Sequence, residues 1–326
     1  MSAFAGNHGP TPRRWQRGLS IVEVMVALTL GLVAVGGAAA IYLANRRSFA
    51  TVESVARLEE NERFALDLLS REIREAGNSV CGGAMITTNL VTPTPNWATW
   101  GQGLLGDVLV SAAAAGKIVG PTGATAQAGG NSLLVWSGSS GGTPVQITAV
   151  TPATNTLTTN IAHGFSVNDV IVACDGSQLI TFAVASNTAT SLTYTGLSPA
   201  LKVGGYLNKL SAHIWYVGGG TTPPAGTTSL RRLTIDKTGS WGGSGNDEML
   251  IGVKDLQISY LEANASGTPT TNDYVSAANV VNWSAVAAVR LTLTLATLDQ
   301  TGSNGSAATV ITHELPMTVN LKARAL

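Results

Sequence analysis

The sequence predicts an α+β fold: a long N-terminal helix packed on an antiparallel β-sheet head that carries a β-rich insertion. Three observations predict it. Residues 19–76 keep a helical pattern without a break. Beyond Gly77 that pattern does not return, and short Val, Ile, Leu and Thr runs alternate with Gly, Asn, Asp, Pro and Ser. Composition agrees. Only 12% of residues are charged, 44% are hydrophobic, and there are 37 glycines. That balance fits a β-rich protein outside the cytoplasm better than a cytosolic enzyme. The formal net charge of zero offers no basic stripe for nucleic acid.

The helix begins in apolar sequence. Residues 1–18 include Arg13, Arg14 and Arg17 and no acid. Residues 19–44 then read LSIVEVMVALTLGLVAVGGAAAIYLA, with Glu23 the only charge. About 20 apolar residues cross a bilayer as a helix. The preceding arginines place the N-terminus in the cytoplasm. An ordinary secretory signal is shorter and ends at a small-residue cleavage site. A plain anchor fits the length but leaves Glu23 unexplained, and a carboxylate at membrane depth is costly.

The stretch Gly18-Leu19-Ser20-Ile21-Val22-Glu23 resembles the type III leader of the type IV pilin superfamily. The resemblance implies cleavage after Gly18 by a prepilin peptidase and N-methylation of Leu19. Leu replaces the commoner Phe at that position. It also implies a role for Glu23 in filament assembly, pairing with the new α-amine of a neighbouring subunit. In a low-dielectric core either charge alone would be heavily penalised, so the pair would set register. Removing the three leader arginines from 19 basic residues leaves 16 against 19 acidic, a net charge of −3.

Residues 45–76 continue the helix in amphipathic form. Apolar positions recur at Val52, Val55, Leu58, Ala65, Leu69, Ile73 and Ala76, mostly three or four apart. Glu53 and Arg57, Glu59 and Arg63, and Asp67 and Arg71 are acid-before-base pairs four residues apart. Gly77-Asn78 is a helix stop. At 1.5 Å per residue the whole helix would run about 85 Å. Gly31, Gly36 and Gly37 mark either close packing of small residues between helices or, by the resemblance, local melting during assembly.

Strands are expected at 132–136, 145–150, 170–173, 179–184, 213–217, 230–235, 253–260, 287–294 and 317–322. Gly/Ser/Thr-rich tracts at 111–131 and 218–229 read as exposed loops, and the insertion lies near 101–210. Several head segments resemble PilW-type minor pilins: LLSREIREAGNSVCGG at 68–83, VIVACDGSQLITFAV at 170–184, LRRLTI at 230–235, LIGVKDLQISYL at 250–261, AVAAVRLTLTLAT at 285–297 and VNLKARAL at 319–326. The expected organisation is a leader at 1–18, a membrane or filament-core half-helix at 19–44, an amphipathic half at 45–76 and a head at 77–326.

The chain has two cysteines, Cys81 and Cys174. In the cytosol they would be unrelated thiols. Export, which the resemblance implies, makes a Cys81–Cys174 disulfide the expectation. Its loop of about 90 residues would contribute about 4–5 kcal/mol in the chain-entropy model.

Catalytic motifs are weak. Gly138-Ser139-Ser140-Gly141-Gly142 matches G-x-S-x-G but runs into Thr143-Pro144 and a strand, not a helix. Gly101-Gln102-Gly103-Leu104-Leu105-Gly106 matches G-x-G-x-x-G but also leads into a strand. The four histidines are far apart, without metal-ligand spacing. Asp175-Gly176 and Asn246-Asp247-Glu248 read as turns rather than calcium loops. No enzyme activity, cofactor or metal is expected. Trp97, Trp100 and Trp136 are the aromatic candidates for a binding surface, with burial the commoner fate.

The resemblance implies a minor pilin of a type IV pilus. Such a subunit is held in the inner membrane with its head in the periplasm, then moves to a surface pilus. It primes assembly at or near the tip and supports adhesion, twitching motility or DNA uptake indirectly. The implied partners are other minor pilins, the major pilin, a large tip adhesin and the prepilin peptidase, with no direct nucleic-acid contact. The alternatives are a J-type minor pseudopilin of a type II secretion system and a tip-located binding module acting through the insertion.

Overall fold

The computed structural model describes residues 20–79, 86–91, 103–106, 131–139, 144–196, 201–219, 227–235, 241–264, 268–270, 273–297 and 311–321. Gly18, Leu19, Cys81, Trp97 and Trp100 lie outside them. The chain falls into two compact units, Met1–Glu53 and Ser54–Leu326.

One helix, α1, spans Ile21–Arg74, 54 residues. Its first residues follow Ser20, whose carbonyl accepts from Val24 N at 3.1 Å. The helix ends where the sequence places its stop. Ala76 N donates to Ile73 O, Asn78 N donates to Glu75 O, and Gly77 turns left-handed at φ 69°. In the second unit the buried helix positions are Ser54, Leu58, Ala65, Leu69 and Ile73, spaced by four or seven. This is the amphipathic stripe.

The β-rich body has two sheets. Eleven strands form the larger: β1 (Ile86–Asn89), β2 (Leu104–Gly106), β3 (Ser132–Ser139), β4 (Val145–Thr151), β5 (Thr156–Thr159), β6 (Val170–Cys174), β7 (Gln178–Asn187), β8 (Ser191–Tyr194), β9 (Tyr206–Gly219), β10 (Thr228–Ile235) and β11 (Trp241–Ile251). The smaller sheet is β12 (Val253–Glu262), β13 (Val286–Ala296) and β14 (Thr312–Asn320), paired antiparallel in that order.

All nine expected strands are present, most of them longer at one or both ends. Five further strands are β1, β2, β5, β8 and β11. Of these β1, β5 and β8 are four residues each and mostly polar, β2 is only three residues, and β11 opens on a glycine-rich run, so side-chain pattern does not announce them; backbone pairing with neighbours makes them. The tract 218–229 is not wholly a loop. Gly218 pairs with Ser229 and Gly219 with Thr228 as the β9–β10 ladder runs on, and Ser229 is fully buried. Asn246-Asp247-Glu248 is not a turn either. It lies in β11, opposite Leu233, Arg232 and Arg231.

Strand β9 is the spine. Lys209 pairs with Ser139 of β3 and with Ile171 of β6, so those strands lie on opposite edges. Leu207 pairs with Val145 of β4 and Ala173 of β6. Trp215 pairs with Leu133 of β3 and Arg232 of β10. Thus β3 and then β4 follow one edge, while β10 and then β6 follow the other. Beyond β4 the pairing continues β4–β5, β5–β8, β8–β7, β7–β6 and back to β9, every pair antiparallel. The ring closes, so the first four residues of β9 are the sixth strand of a small barrel.

Alternation along β9 divides three cores. Leu207 faces the barrel interior with Ile171, Ile180, Phe182, Val184 and Leu192. Trp215 and Val217 face the core that holds Leu69 and Ile73 of α1 and Leu291 and Leu293 of β13. Leu210, Ala212, Ile214 and Tyr216 point to the other face, with Trp136, Val172 and Cys174.

Candidate functional site

The first unit carries a long exposed apolar surface. Ile21, Val22, Leu28 and Leu32 are 80%, 67%, 68% and 76% exposed. An 18-residue window of α1 is apolar enough to cross a membrane, and none of it is buried within the chain. Exposed apolar surface on this scale marks an interaction surface, protein or lipid. Glu23 sits in the first turn of α1 and is exposed. A carboxylate there is favoured by the helix dipole. It also stands three residues after Ser20, the spacing of a capping box. The structure thus places Glu23 where its charge favours the start of the helix.

The second unit holds the C-terminal part of α1 against both sheets. His213 Nδ1 of β9 donates to Glu72 Oε2 at 3.0 Å. His313 Nδ1 of β14 donates to Glu62. Each sheet thus fastens the helix by one histidine. Sequence reasoning saw these histidines only as isolated residues, because their partners are 141 and 251 positions away. His163 stacks on Phe165 at 4.9 Å, and its Nδ1 accepts from Phe165 N. Among the described residues no group of His, Cys, Asp or Glu is arranged to hold a metal.

Gly103 and Gly106 of the Gly-rich match have a packing cause, while Gly101 lies outside the described residues. Gly103 has φ 69°, and a Cβ on it would lie 2.6 Å from both Gly77 Cα and Gly77 N. Gly106 sits against Tyr260, Ala277 and Trp283, where a Cβ would collide. These two glycines therefore let the backbone pass close to the helix end and to β12. In the other catalytic match, Gly138 and Ser139 are the last residues of β3. Trp136 is fully buried, so it offers no exposed binding surface.

Cys174 ends β6 and is 2% exposed. The residues after it form a tight polar turn. Asp175 Oδ1 accepts from Ser177 N, Ser177 Oγ and Gln178 N, and Oδ2 accepts from Gln178 Nε2 and Lys202 N. Burial by itself would raise the Asp175 carboxyl. The hydrogen bonds from Ser177, Gln178 and Lys202 outweigh it and hold the group well below its ordinary value of 3.8. With its oxygens used this way, Asp175 is a turn-former, and Gly176 supplies the positive φ of 81°. Asn246 accepts from Tyr216 Oη and Arg231 Nε, and Asp247 pairs with Arg232 at 3.2 Å. Both acidic segments are thus committed to structure.

Two family models match this chain. Residues 15–39 match the prokaryotic N-terminal methylation motif, which takes in Gly18, Leu19 and Glu23. Residues 214–323 match type IV pilus-assembly protein W, PilW. The second match runs from within β9 to just past β14 and so contains the three-stranded sheet. It excludes β4 to β8. No curated protein matches the chain. With a prepilin methylation motif at its N-terminus and a PilW match in its head, the chain bears out its resemblance to the type IV pilin superfamily and, within it, to the PilW-type proteins.

Proposed function

We propose that this chain is a minor pilin, a structural subunit made as a precursor and packed into a filament through α1. The observation that carries the reading is the exposed apolar helix bearing a methylation motif, on a chain whose other end matches PilW. Cleavage after Gly18 frees the amine of Leu19, and methylation follows there. The helix is stored in the inner membrane with the head in the periplasm. Its apolar surface then moves from lipid to the surfaces of neighbouring subunits. Glu23 pairs with the amine of a neighbour, an attraction strengthened by low dielectric. The fold is then pilin-like, with the head a partner surface for the major pilin, other minor pilins and a tip adhesin near the filament tip. The work is mechanical, and adhesion, motility or DNA uptake depends on it indirectly.

Cys174 pairs with Cys81 in this reading. The residues flanking Cys81 support it. Ser79 is buried close to Gly138, and Ile86 pairs with Gln178, four residues after Cys174. The bridge would tie the segment after α1 to the barrel wall.

Gene deletion followed by electron microscopy of surface pili and an assay of secreted protein tests the function. Loss or scarcity of pili with normal secretion is expected. Normal piliation with failed secretion would assign the chain to a type II secretion system instead.

A further inference from the structure

The barrel formed by β4 to β8 and the start of β9 has features that set it apart within the second unit. Its sequence is continuous, 145–209, and the chain enters and leaves it through adjacent points, since Ser139 of β3 pairs with Lys209 of β9. Without the intervening residues β3 and β9 would be two strands of a hairpin. Its interior is a core of its own: Phe182 stacks on Tyr194 at 4.6 Å, with Ile147, Leu157, Ile171, Ile180 and Leu207 around them. The strand ring closes through antiparallel pairs, with β1 added in parallel along the start of β7 from outside the ring. Lys209 Nζ and Asp169 Oδ1, 2.8 Å apart, lock the β6 entrance to β9.

The barrel also lies past the C-terminal end of α1. Gly77 N donates to Trp136 O and Gly138 N donates to Asn78 O, so the helix ends against the last residues of β3, just before the barrel begins. The PilW match starts at 214, after the barrel has ended. The barrel thus lies outside the residues that the PilW model matches.

From this we infer that residues 145–209 are a module grafted onto the tip of the β3–β9 hairpin, which opens and closes as a cooperative unit apart from the sheet β12–β14. Small cooperative units of this kind open at their own free energy, and native-state amide exchange reads it. The physical reason is that, among the described residues, Phe182 belongs to the barrel core and not to the core shared by α1 and β13, so its loss is felt within the ring first.

The test is amide hydrogen exchange by mass spectrometry on the full chain in detergent, comparing the native protein with Phe182→Ala. Exchange protection should fall by about two to three orders of magnitude in peptides from β4 to β8. Peptides from β12 to β14 should stay within about threefold of native. Equal loss in both regions, or no loss in either, would overturn the inference. Ile180→Val, a milder change expected to lower barrel protection about threefold to tenfold, gives the same comparison if the alanine variant does not fold.

Discussion

Three residues carry most of what single side chains decide here. Glu23 lies in the first turn of α1, and Glu23→Gln separates a local effect at the helix start from pairing with a neighbouring subunit. Gln keeps the capping geometry and loses the charge. If the pair with a neighbour's amine matters, the variant should be stable in the membrane yet depleted from sheared pili by tenfold or more, measured by immunoblot. Gly103 is held at φ 69° with Gly77 against it. Gly103→Ala should destabilise the head by about 1–3 kcal/mol, since it adds both backbone strain and a collision. An unchanged melting temperature would refute that. Asp175 has a depressed carboxyl. Its contribution is complete above the unfolded value near 3.8 and is lost as pH falls from there toward the lower folded value. Asp175→Asn should cost about 1 kcal/mol at neutral pH and flatten that acid limb, read from thermal melts across pH.

At the scale of elements, α1 has two different surfaces in one continuous helix. Within the second unit its stripe is filled, and Leu69 is 1% exposed among Ile258, Leu291 and their neighbours. Leu69→Ala should cost about 2–5 kcal/mol of head stability by leaving a cavity. In the first unit the apolar surface is exposed among the described residues. Among strands, those with alternating Val, Leu and Ile were legible from sequence, as in β12 and β13. Their burial alternates because one face meets the core and the other does not. Those built of Thr, Ser and Gly, such as β5, β8 and β11, were not. Their place comes from ladder partners, β4, β7 and β10, that directly precede each of them in the chain.

For the whole molecule, leader processing and the disulfide are tested separately, the disulfide alone depending on export. Replacing Gly18 should leave a slower-migrating precursor, and unchanged mobility on a gel would remove the cleavage claim. Reducing the exported head should lower its stability by about 4–5 kcal/mol if Cys81 and Cys174 are joined, with mass spectrometry of peptides locating the bond. A finding of two alkylatable thiols would dismiss it. The molecule combines a part with recognised relatives, 214–323, and a barrel outside that match.

The sequence by itself determined the long helix, its stop at Gly77, the prepilin-like leader and the β-rich character of everything after it. These are local matters: hydropathy, helical period and turn residues act over a few positions. Only the tertiary structure decided the closed barrel, the double role of β9, the histidine fastenings of α1 and the reason for glycine at 103 and 106. Each joins residues tens to hundreds of positions apart, and such contacts leave no period in one chain to read. Even the apolar helix, the plainest feature of the sequence, became more definite in the structure. It is uncovered in one unit and packed in the other because only its second part meets a folded partner within the same chain.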